Sequence, residues 1–205
     1  MTGLKLSAKS KSDYVFSAGG NSSTIPSRYS YKRFLPSVID QGADPICVPC
    51  TLSAYLNWRE NLKNGSKKDN RIDYYELYES KTSEGEGMTF KEAFKYLRHN
   101  GVDSKAGQLK IGTYSKVGSS ILLKYAILLN GPCMGALPMY NESEKFWEQN
   151  AGDYLRGYHA ISIVGYDDKG FIIRNSWGIG YGDNGYSHIP EKDFKKFIEL
   201  WTVSD

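Results

Sequence analysis

Apolar residues recur along this chain with two different periods. In Val48 to Asn64, the residues Leu52, Tyr55, Leu56 and Leu62 fall on a helical repeat, and Asn64-Gly65 supplies a left-handed stop. Pro49 fits only the first turn of that helix, where no backbone donor is lost. A short helix is expected around Asp73 to Ser80. Thr89-Phe-Lys-Glu92 is a capping box, opening a helix with Phe90, Ala93, Phe94 and Leu97 on one face and Gly101 as its stop. A further helix is expected from about Val117 to Asn130, before Gly131-Pro132.

Beyond that point the period changes. Cys133 to Met139 reads as a strand. His159 to Tyr166 and Phe171 to Asn175 read as two apolar strands joined by Asp167-Asp-Lys-Gly170, an antiparallel hairpin. Gly185 to Ile189 and Phe197 to Val203 are further strand candidates, with a short helix begun by Pro190 between them. Helices first and antiparallel strands second predict an α+β protein of two packed lobes, with a cleft between them for a site.

Residues 1–28 are rich in Ser, Lys and Gly and bury little, which predicts a mobile arm or one ordered by a protein partner. Residues 29–205 then form a single domain. At 205 residues, with 40% apolar and 24% charged, the chain buries roughly 70% of its unfolded surface without help from metal or disulfide. No window approaches a membrane span, and the start shows no secretory pattern, so a cytoplasmic location is expected, with a phage or viral source allowed for. The net charge of +3, from 26 basic and 23 acidic residues interspersed, gives no reason to expect nucleic acid as a partner.

Three cysteines, Cys47, Cys50 and Cys133, are too few for a secreted disulfide scaffold. Zinc at Cys47-Val-Pro-Cys50 needs two more ligands at matching spacing, and only Cys133 and three scattered histidines remain, so no metal or cofactor is expected.

Two short stretches carry chemistry. Cys47 stands at the mouth of the first helix, where free N–H groups and the helix dipole favour a thiolate. Gln41, six residues earlier in a Gly-containing loop, is placed to return its amide beside that thiol, and two donors there stabilise an oxyanion by roughly 3 kcal/mol each. His159 opens the first strand of the hairpin and Asn175 closes the second, so the four-residue turn sets them side by side. An Asn carbonyl fixes the tautomer of a His that serves a thiol as base. Trp177 stands near enough to shield that hydrogen bond.

The order Gln…Cys…His…Asn, the run Asn175-Ser-Trp-Gly followed by Gly180-Tyr-Gly-Asp-Asn-Gly-Tyr186, the His159-Ala-Ile-Ser-Ile-Val-Gly-Tyr strand and Asn130-Gly-Pro resemble the papain-like cysteine peptidases, the C1 family of thiol proteases, over about Pro36 to Val203. The resemblance implies the papain-like two-lobed fold and a thiol endopeptidase acting on a polypeptide. In it Cys47 is nucleophile, His159 base and acid, Asn175 its orienter, Gln41 the oxyanion side chain and Trp177 the cover. The family usually reads Cys-Gly-Ser-Cys-Trp where this chain reads Cys47-Val-Pro-Cys50-Thr51, and the six-residue gap from Gln41 selects Cys47 over Cys50. Tyr158 stands where the family often has Asp or Asn. Two other readings use the same residues: a different acyl transfer, such as deamidation or transglutamination, and a retired peptidase serving as a binding part of an assembly.

Overall fold

The computed structural model describes residues 3–18 and 25–205. Its central helix α1, Cys47–Asn64, is buried on every side from Cys47 through Asn61, so the amphipathic pattern understates its burial. Its buried amides are satisfied. Asn61 donates to the carbonyls of Phe34 and Lys68 at 2.9 and 2.8 Å, and Asn57 accepts the Asn70 N–H at 2.8 Å, tying loop 66–70 to the helix. Gly65, at φ 58°, closes it by returning its N–H to Asn61 and Leu62.

Helix α2, Tyr74–Glu79, is capped by Asp73, and α3, Phe90–His99, by the reciprocal Thr89–Glu92 box with Phe90, Ala93, Phe94 and Leu97 buried. Helix α4 spans Ser120–Asn130 with Ser119 as its cap, starting three residues later than the apolar pattern indicates. Residues 117–119 are the link from a strand, Thr113–Lys116, that pairs with the last strand of the chain.

Among the described residues, one nine-stranded sheet organises the remainder. In chain order its strands are β1 (Leu4–Lys5), β2 (Tyr29–Ser30), β3 (Met88–Thr89), β4 (Thr113–Lys116), β5 (Cys133–Met139), β6 (Gly157–Asp167), β7 (Gly170–Arg174), β8 (Tyr186–Ile189) and β9 (Glu199–Ser204). The long strand β6 is its spine: β5 pairs antiparallel with residues 157–163, and β7 with 162–167 across the Asp167–Gly170 turn. A 3₁₀ segment, Glu191–Lys196, follows Pro190. The core packs α1 and the sheet together, and Phe94, Tyr114 and Trp201 form an aromatic cluster with centroids 4.8–5.9 Å apart. Among the described residues, no helix is long and apolar enough to cross a membrane.

Candidate active site

The loop that leads into α1 is fastened to the end of the β6–β7 hairpin. Arg174 donates to the carbonyls of Pro36 and Ser37, both at 2.8 Å, and the Gly178 N–H to the Ile39 carbonyl at 3.0 Å. Gln41 is held on both sides: its N–H donates to the Ser176 carbonyl at 2.9 Å, and Ser176 Oγ donates to its side-chain oxygen at 2.5 Å. Its amide nitrogen gives one hydrogen to the Asp44 carbonyl at 2.7 Å, which leaves a second hydrogen to donate. The residues 41 and 175–176, distant in sequence, are thereby one unit.

His159 is fully buried, and its Nε2 lies 2.7 Å from Asn175 Oδ1. The same oxygen accepts the Ser176 backbone N–H at 2.7 Å. A backbone N–H only donates, so that atom is the carbonyl oxygen, and His159 Nε2 carries the proton. Nδ1 is then the free lone pair, and it has no partner among the described residues. The Trp177 indole stacks on the imidazole at 4.6 Å and 26°, and Phe146 meets it edge-on at 5.4 Å, so the ring is clamped and dry. Burial pushes the imidazole down to about 4, with the Asn175 hydrogen bond opposing, so it is neutral at pH 7.

Cys47 is the first residue of α1, and its thiol is fully buried. Burial pushes it up to about 11, against the backbone N–H groups of Ala160, Gly3 and Val48, which favour the thiolate. Ala160 directly follows His159, so thiol and imidazole share one corner of β6, yet no hydrogen bond joins them. Cys50 is one turn further along, also buried, and lines a water-sized void with Arg174, Asn175 and Ser176. Burial raises its thiol still further. Cys133 is buried in β5. Among the described residues, no group of three or more His, Cys, Asp or Glu is placed to hold a metal ion.

The groove over the thiol is filled by the chain's own beginning. Residues 3–5, read from sequence as part of a mobile arm, lie across the cleft, with Leu4–Lys5 forming β1. Leu4 pairs with Tyr158 of β6 on one side and with Met88 of β3 on the other. The Met88 N–H donates to the Gly3 carbonyl at 2.9 Å. Contact is close: a Cβ on Gly3 would lie 2.3 Å from the Pro45 backbone, and one on Gly87 2.9 Å from Gly3 O. The only sequence trace of this strand is the alternation Leu4-Lys5-Leu6, too short to weigh. The far side of the cleft stays open as a cavity of about 700 Å³ beside Trp177, Tyr181, Asp40, Glu142 and Glu144. Tyr181, not singled out from sequence, packs edge-on against Trp177 at 5.1 Å and donates to the Glu144 carbonyl at 2.8 Å.

A cysteine at a helix start, a neutral imidazole with its tautomer fixed by an amide, and a glutamine tied to that amide thus lie between the helices and the sheet. The profile described as "Papain family cysteine protease" matches residues 54–197, and the chain belongs to that family. It is 26% identical over 184 residues to a cathepsin L-like proteinase of Phaedon cochleariae, covering 74% of this chain and 56% of that protein. It is 29% identical over 102 residues to a gut-specific cysteine proteinase of Caenorhabditis elegans, covering 46% and 31%. The chain thus spans a third to just over half the length of these relatives. The crystal structure of xylellain, a cysteine protease from Xylella fastidiosa, superposes with a TM-score of 0.83 over 99% of this chain and 95% of that one, at 20% identity. The fold is therefore papain-like and two-lobed.

Proposed function

We propose that the protein is a thiol endopeptidase in which Cys47 is the nucleophile, His159 the base and acid, Asn175 the positioning residue and Gln41 an oxyanion donor. The observation that supports the reading is the 2.7 Å contact of His159 Nε2 with Asn175 Oδ1, which leaves the Nδ1 lone pair unengaged next to Ala160, whose N–H favours the Cys47 thiolate. The Cys47 proton passes to Nδ1 as sulfur attacks the carbonyl carbon of a peptide bond. The oxyanion is received by the Cys47 backbone N–H and the uncommitted hydrogen of the Gln41 amide. His159 returns the proton to the leaving amine as the C–N bond breaks, leaving a thioester. Water then gives a proton to Nδ1 and attacks the thioester; the C–S bond breaks, Nδ1 returns the proton to the Cys47 sulfur, and the carboxylic product departs. Trp177 keeps bulk water from the His–Asn bond.

Labelling with an epoxide inhibitor or iodoacetamide, followed by mapping of the modified cysteine, tests activity and assignment together. Label on Cys47 and hydrolysis abolished in Cys47→Ala are expected. Retained hydrolysis in Cys47→Ala, with loss in Cys50→Ala, would transfer the role to Cys50. On a denatured protein substrate, new internal N-termini are expected; mass gains of about one dalton would point to deamidation.

A further inference from the structure

Cys50 has no part in the hydrolysis. It is the fourth residue of α1 and Cys47 the first, with Val48 and Pro49 between them. The Cys50 N–H donates to the Ile46 carbonyl at 3.0 Å, so the first turn is closed as regular helix. Residues three apart in a helix have Cα atoms about 5 Å apart, from a rise of about 1.5 Å per residue on a radius of about 2.3 Å. A disulfide accepts Cα separations of about 4.4–6.8 Å. Cβ atoms at that spacing stand about 5–6 Å apart, and a disulfide draws them to about 4 Å. Closing a bridge therefore takes a small movement at the helix start, where Ile46 supplies no side-chain cap to hold the turn. Cys133 sits on another element, β5, with its Sγ donating to the Gly131 carbonyl at 3.7 Å.

The surroundings of the two sulfurs favour chemistry between them. A helix start lends its free N–H groups and positive end to thiolates, and paired cysteines at this spacing are the arrangement that thiol–disulfide exchange uses. Against the burial that raises both thiols, the N–H groups of Ala160 and Val48 favour the Cys47 thiolate, and the Arg174 guanidinium favours that of Cys50. After burial, a charge on Cys47 is the next cause that raises the Cys50 thiol, so the sulfurs are electrostatic neighbours. The water-sized void that Cys50 shares with Arg174, Asn175 and Ser176 gives its sulfur room to turn. Hydrogen peroxide is little larger than water.

We infer that Cys47 and Cys50 are a redox-active dithiol, which a peroxide closes into a disulfide and a small thiol reductant reopens. The Cys47 thiolate attacks one peroxide oxygen: the S–O bond forms as the O–O bond breaks, and the hydroxide that leaves takes up the Cys47 proton as water. The Cys50 thiolate then attacks the sulfenic sulfur: the S–S bond forms, the S–O bond breaks, and the departing hydroxide takes up the Cys50 proton. Two thiols and one peroxide thus give one disulfide and two waters, with sulfur oxidised and peroxide oxygen reduced. A sulfenic acid without a neighbouring thiol goes on to sulfinic and sulfonic acids, which thiols do not reduce. Cys50 spares Cys47 that loss. The silence of the bridged form as a peptidase rests on the role proposed for Cys47; the bridge itself does not.

The test exposes the reduced full chain to hydrogen peroxide at a dose that fully oxidises free cysteine. The protein is then denatured, alkylated with N-ethylmaleimide and weighed. Of three thiols in wild type, Cys133 alone should take the label. The tryptic peptide 34–59, which holds Cys47 and Cys50, should be lighter by about 2 Da, and dithiothreitol should restore all three labels. In Cys50→Ser, Cys47 should instead gain about 32 or 48 Da that dithiothreitol does not remove, at least tenfold more than in wild type. Cys133→Ser should close as wild type does. Equal irreversible oxidation of Cys47 in wild type and Cys50→Ser, with no lighter 34–59 peptide, overturns the dithiol. So do three thiols left free after peroxide, or a bridge that includes Cys133. Hydrolysis lost on closing and regained with dithiothreitol supports dithiol and peptidase together. A bridge that forms in a protein cutting no peptide in either state supports the dithiol and removes the peptidase reading.

Discussion

Replacing Asn175 by Ala removes one oxygen that two buried donors share. His159 Nε2–H and the Ser176 N–H both end on Oδ1, at 2.7 Å each, and these residues are 0% and 5% exposed. Each buried donor left without a partner costs about 1–3 kcal/mol. The loss is therefore about 2–6 kcal/mol, out of the 5–15 kcal/mol typical of a folded domain. Urea unfolding is the direct assay. With a slope of about 2 kcal/mol per molar, a loss of 3 kcal/mol moves the midpoint down by about 1.5 M with the slope unchanged. The imidazole, no longer tied through Nε2, is free to exchange tautomers and place a proton on Nδ1, where the thiol needs a lone pair. A loss of at least tenfold in kcat/KM on a peptide accompanies the fall in stability. A midpoint within 0.3 M (roughly one slope error) of wild type, together with unchanged kcat/KM, would refute the claim that this oxygen holds the ring.

Three other outcomes follow from the same structure. Gly131→Ala places a Cβ 2.2 Å from the Trp58 indole at φ 94°, so about 3 kcal/mol is lost and Tm falls by about 6–12 °C; calorimetry checks it, and Trp58→Phe in the same chain restores part of the loss. His159, held neutral at about 4 when folded against an ordinary 6.5, binds its proton more readily unfolded, so stability falls as pH drops from about 6.5 to 4, by up to about 3 kcal/mol; His159→Phe flattens chemical-denaturation midpoints across that window. Glu92, although burial opposes ionisation, is held down at about 2 by hydrogen bonds from Thr89, Thr82 and Ser83, and Glu92→Gln puts an amide donor where those groups also donate; about 1–2 kcal/mol is lost, and hydrogen exchange of residues 82–88 accelerates.

The local signals in the sequence were strong where neighbours along the chain decide the outcome. Thr89–Glu92, Asn64-Gly65 and the Asp167–Gly170 turn each act within a few residues, and helix and hairpin appear where they are expected. The hairpin also carried His159 to Asn175, because antiparallel pairing turns a spacing in sequence into a distance. What stayed illegible depends on partners far away. Strand β4 exists because Thr113–Lys116 lies against Trp201–Ser204, and nothing within residues 113–116 announces it. Glu92 read as a cap, but its second oxygen's neighbours, Thr82 and Ser83, make it the anchor of the groove wall at Met88. The arm is the extreme case. Its composition of Ser, Lys and Gly describes a chain without a core of its own, and the contacts that seat it belong to Glu199, Lys91, Lys116 and Met88 in the body.

At this site, cover and chemistry have one cause. Thiolate and imidazolium are the charged forms a thiol peptidase uses, and removal from water disfavours both. Under the strap, burial raises Cys47 and lowers His159, so the two shifts add in opposing proton transfer from sulfur to nitrogen. Three influences pull the other way: the helix start at Cys47, the N–H groups of Val48 and Ala160, and the Asn175 bond. They remain in place when Gly3 leaves, whereas the desolvation that outweighs them does not. Opening therefore lowers the thiol and raises the imidazole in the same event that admits a substrate. The pH profile of Cys47 alkylation carries this signature: in wild type it climbs toward a midpoint near 11, and in Gly3→Ala, whose Cβ would lie 2.3 Å from the Pro45 backbone and so displaces the strand, the midpoint moves down. A faster rate with an unmoved midpoint would mean that the strap blocks access alone and leaves the electrostatics of the pair untouched.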